Sequence, residues 1–234
     1  MCMQCANVGR RGFLSLSAAG LVGAAFATRP AFAASTTTMS PDDALAKLRA
    51  GNLRFMSAAE ECVRDLGKQR AAVAQSQAPW ATILTCSDSR VTPELIFGGV
   101  GLGELFVARN AGNTADTATL GTIEYGAEHL GSPLVVVLGH ERCGAVSAAC
   151  EVAEKKAKFQ GSMKQMIDEI VAAAIAMRGR DGDFIDNTVR ENAKRTANKI
   201  LIKSKVVANL RAAGKVKVVY ARYDLDSGAV EFLS

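Results

Sequence analysis

The sequence predicts an α/β fold. A central, mostly parallel β-sheet of about four strands, with an antiparallel edge strand, is flanked by helices and preceded by an N-terminal helical arm. Three observations carry this. Short apolar runs such as Ala81-Thr82-Ile83-Leu84-Thr85 and Leu134-Val135-Val136-Val137-Leu138 recur at wide intervals, and unbroken apolar character suits strands covered on both faces. Segments of helical periodicity separate them. The composition, 49% hydrophobic but only 6% aromatic over 234 residues, suits one sizeable aliphatic core.

Residues 1–33 read as an export signal. Arg10-Arg11-Gly12-Phe13-Leu14 is a twin-arginine pattern, Leu14 to Ala27 is apolar but short for a membrane span, and Ala31-Phe32-Ala33 offers a small-x-small cleavage site. The expected location is periplasmic or secreted, with no stable membrane span after cleavage; an uncleaved anchor is the alternative. Residues 34–39 are a Ser/Thr linker, and one domain fills 40–234.

The domain opens with clear helix signals. Ser40 caps, Pro41 takes the first helical position and Asp43 completes an S-x-x-D box. Ala44, Leu45 and Leu48 form an apolar stripe. Gly51-Asn52 is expected to break this helix, with Leu53, Phe55 and Met56 continuing as a second amphipathic piece. The arm is expected to pack on a neighbour such as another subunit.

The first strand, 81–85, ends at Cys86, and Arg90-Val91-Thr92-Pro93-Glu94 starts a short helix. After the turn Gly98 to Gly103, residues 104–109 read as the second strand and Asn110-Ala111-Gly112-Asn113 as a loop. A helix spans Thr117 to Leu130, with Leu120, Ile123 and Ala127 on one face, and Gly131-Ser132-Pro133 stops it. The third strand, 134–138, delivers His140. The helix from Gly144 places its N-terminus beside Cys143, which should lower that thiol's pKa. Helices at 162–178 and 187–212, a strand at 216–222, a turn at 226–228 and an edge strand at 229–233 complete the chain.

Two stretches at strand ends carry chemistry: Cys86-Ser87-Asp88-Ser89-Arg90 and His140-Glu141-Arg142-Cys143. Two thiols and one imidazole are the ligand set of a zinc site that leaves its fourth position to water. His129 and His140 are the two histidines, which excludes a site built from three. Asp88 and Arg90 share one tight turn, where the guanidinium can hold the carboxylate bidentately. His129 reads as an ordinary helix histidine, with protons leaving through water to buffer. Cys62 and Cys150 read as buried small hydrophobes, although a disulfide between them is conceivable, and Cys2-x-x-Cys5 falls in the signal.

The net charge is +5. Of the 28 Lys and Arg, Arg10, Arg11 and Arg29 leave with the signal, so 25 face 23 acidic groups. So small an excess, with no basic cluster among aromatics, argues against nucleic acid as a partner.

The paired motifs Cys86-x-Asp88-Ser89-Arg90 and His140-x-x-Cys143-Gly144 resemble the signature of the β-class carbonic anhydrases. Gly51-Asn52-x-Arg54-Phe55, Arg109-Asn110-Ala111-Gly112-Asn113, Ile123-Glu124-Tyr125 and Tyr223-Asp224-Leu225 with Gly228 extend the resemblance over roughly residues 40–233. It implies one Zn2+ per subunit, held by Cys86, His140 and Cys143, and reversible hydration of carbon dioxide to bicarbonate and a proton by zinc-bound hydroxide. Asp88, paired with Arg90, would accept a hydrogen bond from the zinc-bound water, or would itself ligate zinc and close the site. Gln77, Val91, Phe106, Tyr125 and Gly144 would surround the substrate, with Gln77 donating to its oxygen. Family members are homodimers or higher homo-oligomers that share site residues between subunits. Some bicarbonate-inhibited members carry tryptophan three residues before the first cysteine; Ile83 stands there in this chain, and with Gln77 it favours the open site. Relatives that hydrolyse carbonyl sulfide or carbon disulfide are the nearest alternative. A non-catalytic zinc-binding protein is another, and intact Asp88 and Arg90 argue against it.

Overall fold

The computed structural model describes residues 36–59 and 66–233; the expected export signal, Cys2, Cys5 and Cys62 lie outside the described residues. Five strands form one sheet: β1 (Ala81–Cys86), β2 (Leu105–Asn110), β3 (Leu134–His140), β4 (Lys217–Tyr223) and β5 (Val230–Phe232). Their order is β2-β1-β3-β4-β5, with the first four parallel and β5 antiparallel to β4. This is the expected architecture, and the strands fall within a residue or two of their expected limits.

The chain leaves β1 for β2 on one side and returns to β3 on the other. The C-terminal ends of β1 and β3 therefore flank the point where strand order reverses, the place where open α/β sheets gather chemistry. Both strands are buried along their whole length. Ile83, Val136 and Leu138 face one core layer with Leu48 and Phe97, while Leu84, Val135 and Val137 face the other with Ile123, Ile200 and Val207. A third cluster gathers Cys86, Cys143, Val146, Ile167, Ile170 and Val189 at the C-terminal end.

The helices are α1 (Pro41–Ser57), α2 (Leu66–Val73), α3 (Pro93–Ile96), α4 (Thr117–Glu124), α5 (Gly144–Lys155), α6 (Gly161–Met177), α7 (Phe184–Lys203) and α8 (Lys205–Ala212). α1 begins as expected: the Asp43 N–H donates to Ser40 Oγ at 3.1 Å. No described helix is long and apolar enough to cross a membrane.

Four expectations are corrected. α1 does not break at Gly51-Asn52. Gly51 is there because a Cβ would lie 2.0 Å from the Phe97 carbonyl oxygen. Asn52 is there to bind other segments: its Nδ2 donates to the carbonyls of Ile96 (3.1 Å) and Gly228 (2.8 Å), and its Oδ1 accepts the Val230 N–H (2.8 Å). The short helix after the first motif starts at Pro93, not Arg90, because Arg90 is engaged with Asp88. The helix expected over 117–130 gives way at Tyr125–His129 to a π-helical turn. The helix expected over 187–212 starts at Phe184 on an Asp183 cap and divides at Ser204, whose hydroxyl accepts the Val207 N–H at 3.0 Å and so starts α8. Helix α2 was not expected from the sequence pattern.

Candidate metal centre

β1 and β3 end side by side, so Cys86 and His140 come from adjacent strands. Thr85 Oγ1 ties the two ends, donating to the Leu138 carbonyl at 2.9 Å. Arg142 adopts φ +52°, and this left-handed step turns the chain so that Cys143 caps α5. The donor atoms of Cys86, His140 and Cys143 all lie within 4.8 Å of one another, with the two sulfurs 3.9 Å apart, and all three residues are buried.

The hydrogen bonding defines the imidazole. His140 Nδ1 lies 2.8 Å from the Glu141 carbonyl, a group that only accepts, which assigns the proton to Nδ1. Nε2 then carries a lone pair. It is fully buried and has no hydrogen-bond partner. A buried acceptor beside two thiols is poorly placed in a bare protein. The same three donors suit a soft or borderline cation that takes sulfur and nitrogen.

The thiols are not equivalent. The hydrogen bond with Cys143 chiefly pulls the Cys86 thiol down, against burial, helped by the N–H groups of Gly112 and Asp88. Gly112 N lies 3.4 Å from the sulfur. Cys143 is pushed up by its hydrogen bond to Cys86, by burial and by the Cys86 charge. As expected of a helix N-terminus, the N–H groups of Ala145 and Val146 act to lower Cys143, against its hydrogen bond to Cys86 and its burial. A cation bound there would remove this competition, because it would hold both sulfurs as thiolates.

Asp88 stands at the rim, its Oδ2 3.9 Å from His140 Nε2. Arg90 grips both carboxylate oxygens, Nε to Oδ1 at 2.9 Å and Nη2 to Oδ2 at 2.7 Å, and the Arg90 N–H adds a bond to Oδ1. The Arg90 side chain holds the Asp88 carboxyl well below the usual carboxylate range. Three supports carried no assigned role in the sequence reading. Arg109 reaches from β2 to the carbonyls of Cys86 (3.0 Å) and Asp88 (2.7 Å) and fixes the turn. Asn192 of α7 donates to the Gly112 carbonyl at 2.9 Å, holding the loop that faces Cys86. Glu141 supplies the carbonyl for His140. Arg109 lies in a quoted motif, whereas Asn192 is signalled only as a polar residue on a buried helix face.

The expected pocket residues divide into two groups. Val91, buried, closes the Asp88 turn through its N–H to the Asp88 carbonyl, and Gly144 follows Cys143 at the exposed start of α5. Phe106, Tyr125 and Gln77 lie elsewhere. Phe106 pairs with Thr82, four residues before Cys86, which is about 13 Å along the strand. Tyr125 packs on Phe106 with centroids 6.0 Å apart, and His129 packs on Tyr125 at 5.2 Å. Gln77 lies beside Gly103, just before β2. A single chain does not bring these three to the thiols. Cys150 is a free, buried cysteine whose sulfur lies 3.5 Å from Thr188 Oγ1.

The family model described as carbonic anhydrase matches residues 81–230. The chain belongs to the carbonic anhydrase family. Relatives of that name include carbonic anhydrase 2 of Mycobacterium tuberculosis (strain ATCC 25618 / H37Rv), 36% identical over 190 residues that cover 81% of this chain and 91% of the relative. Carbonic anhydrase of Mycolicibacterium smegmatis is 33% identical over 195 residues, covering 83% and 94%. Among solved structures, a Coccomyxa β-carbonic anhydrase in complex with acetazolamide superposes with a TM-score of 0.62 at 28% identity, over 76% of this chain and 82% of that one. The fold is thus that of the β class, and a carbonic anhydrase is by definition a carbonate dehydratase.

Proposed function

We propose that this carbonic anhydrase hydrates carbon dioxide reversibly to bicarbonate and a proton, with one zinc ion held by Cys86, His140 and Cys143. The observation that carries the reading is the buried, unpartnered Nε2 of His140 facing the two buried thiols of Cys86 and Cys143, with all three donor atoms within 4.8 Å of one another. Zinc bound there supplies the Lewis acidity that lowers the pKa of a water to about 7.

The chain's own groups do the rest. Cys86 and Cys143, as thiolates, offset the cation's charge, and the Nδ1 proton keeps His140 neutral. Asp88, held as an anion by Arg90, accepts a hydrogen bond from the attacking water and so aims its oxygen at carbon. With both its oxygens on Arg90, Asp88 stays off the metal, which supports the open site that Ile83 and Gln77 favour. Val91 offers apolar wall to an apolar substrate.

A second copy completes the pocket. Gln77, Phe106 and Tyr125 lie too far from the sulfurs of their own chain, so they serve the site of a partner in a homodimer or larger homo-oligomer. Tyr125 is 49% exposed, and α1 leaves Leu53 and Met56 exposed, as surfaces awaiting such a partner would. A Sordaria macrospora pair of the same fold is described as tetrameric (TM-score 0.63, 22% identity, 72% of this chain and 90% of that one). The twin-arginine pattern supports export to the periplasm or beyond.

Stopped-flow hydration of carbon dioxide by the zinc-loaded mature chain tests the reading. Turnover that appears with zinc and vanishes on chelation is expected. Zinc retained without turnover, or turnover confined to carbonyl sulfide or carbon disulfide, would overturn it.

A further inference from the structure

Two of the supports of the metal centre reach it from different sides. The Cys86 turn is held from β2 by Arg109. The loop between His140 and Cys143 is held by the turn that joins β4 to β5, more than eighty residues further along the chain. Glu141 joins the two. Its N–H donates to the Tyr223 carbonyl at 2.9 Å, and its own carbonyl receives His140 Nδ1 at 2.8 Å. Its side chain turns away from the thiols. Oε2 accepts the Leu225 N–H at 3.2 Å, and Oε1 accepts from Arg142 at 3.1 Å with Arg222 Nη2 3.7 Å away.

The turn that receives this carboxylate is itself fixed. Asp224 Oδ1 accepts the N–H groups of Asp226 (3.1 Å) and Ser227 (2.8 Å), and Arg222 binds Asp224 Oδ2 at 2.7 Å. Asp226 in turn grips Arg142 at 2.6 and 2.9 Å. The peptide between Glu141 and Arg142 is thereby anchored on both sides, and Arg142 keeps its left-handed conformation. The Glu141 side chain is 20% exposed and touches neither sulfur nor the imidazole, so a role in the reaction itself is not what places it there.

We propose that Glu141 is a positioning residue: by docking its carboxylate on the β4–β5 turn it fixes the direction of its own carbonyl, which sets the His140 tautomer and aims Nε2 at the metal. The inference rests on the zinc reading above. What matters in it is reach to the Leu225 N–H, not negative charge. Outer partners of a metal-binding histidine are typically worth about 10 to 100-fold in metal affinity.

The test measures zinc affinity by competition with a chromophoric chelator, alongside melting of the metal-free protein. Glu141→Ala should weaken zinc about 10-fold or more. Glu141→Asp keeps the charge but falls short of Leu225, and should resemble the alanine variant. Glu141→Gln keeps the acceptor and should stay near wild type. Glu231→Gln breaks the 2.7 Å ion pair with Arg190 on the neighbouring edge and should change melting alone. Equal affinity in wild type and Glu141→Ala overturns the proposal. So does the reverse order, with Glu141→Asp normal and Glu141→Gln weak, or an equal loss in Glu231→Gln. If Glu141→Ala does not fold, the Asp and Gln pair still decides. A wild-type protein that takes no zinc sinks the zinc reading, and this inference with it; a zinc-binding wild type indifferent to Glu141 sinks this inference only.

Discussion

The two ends of the sheet are built differently. At the C-terminal ends of β1 and β3 the three donor side chains are buried and cross-braced within one chain: Cys86, His140 and Cys143 meet, Arg90 and Arg109 lock the first turn, and the acid–arginine group around Glu141 locks the second. At the other end Phe106 is part-buried, Tyr125 and His129 are exposed, and Gln77 stands on the surface. The difference teaches where a cation can be held and where a substrate can be received. Desolvated thiols need a rigid shell from their own chain, while a pocket lined by aromatic rings can be shared across an interface. The π-helical turn that presents Tyr125 fits this division, since such turns are frequent at functional sites.

The largest effect should come from breaking the self-contained end. Cys143→Ala removes a ligand and should abolish both zinc binding and turnover, read by metal content and stopped-flow hydration. Asp88→Ala should keep most of the zinc and lose turnover by about 10²–10³-fold, the range for removing one group that stabilises a transition state. Equal zinc loss in the two variants would place Asp88 among the ligands. Full activity in Asp88→Ala would remove the role assigned to it.

The proposed sharing of the pocket is tested by mixing subunits. Asp88→Ala and Tyr125→Ala homo-oligomers should each be impaired. If the pocket is built across a two-fold interface, half of the randomly mixed pairs carry one intact site of two, so activity should rise to about a quarter of wild type. No recovery after verified exchange would show that Tyr125 serves its own chain, although Phe106, on which it packs, pairs about 13 Å along β1 from Cys86.

Legibility in the sequence followed the same division. The strands, the meeting of Cys86, His140 and Cys143 and the Asp88–Arg90 turn are readable because local signals carry them: apolar runs, motif spacing and short-range geometry. Gly51-Asn52 misled because the pair looks like a helix breaker, whereas its meaning is tertiary: close approach to Phe97 and three hydrogen bonds to Ile96, Gly228 and Val230. Ser204 was missed because one serine inside a long amphipathic pattern is a weak stop signal. Glu141 and Asn192 drew no assignment because their partners lie about eighty residues away.

The smallest expected effect lies in the turn that braces the metal end. The Ser227 N–H first, and then Arg222 and the Ser227 hydroxyl, hold the Asp224 carboxyl well below the usual carboxylate range. A carboxyl depressed on folding adds stability that is fully present above its unfolded pKa of about 3.9 and is lost as pH falls through that value toward the folded one. Melting of the metal-free protein should therefore show Asp224→Asn to be less stable than wild type at neutral pH, by about 1 kcal/mol. The gap should close as pH falls below about 4, where the wild-type carboxyl begins to lose its advantage. A gap independent of pH would mean that Asp224 braces the turn through hydrogen-bond geometry alone. A variant as stable as wild type at pH 7 would mean that the turn, and the support it gives Glu141, stands without the Asp224 charge.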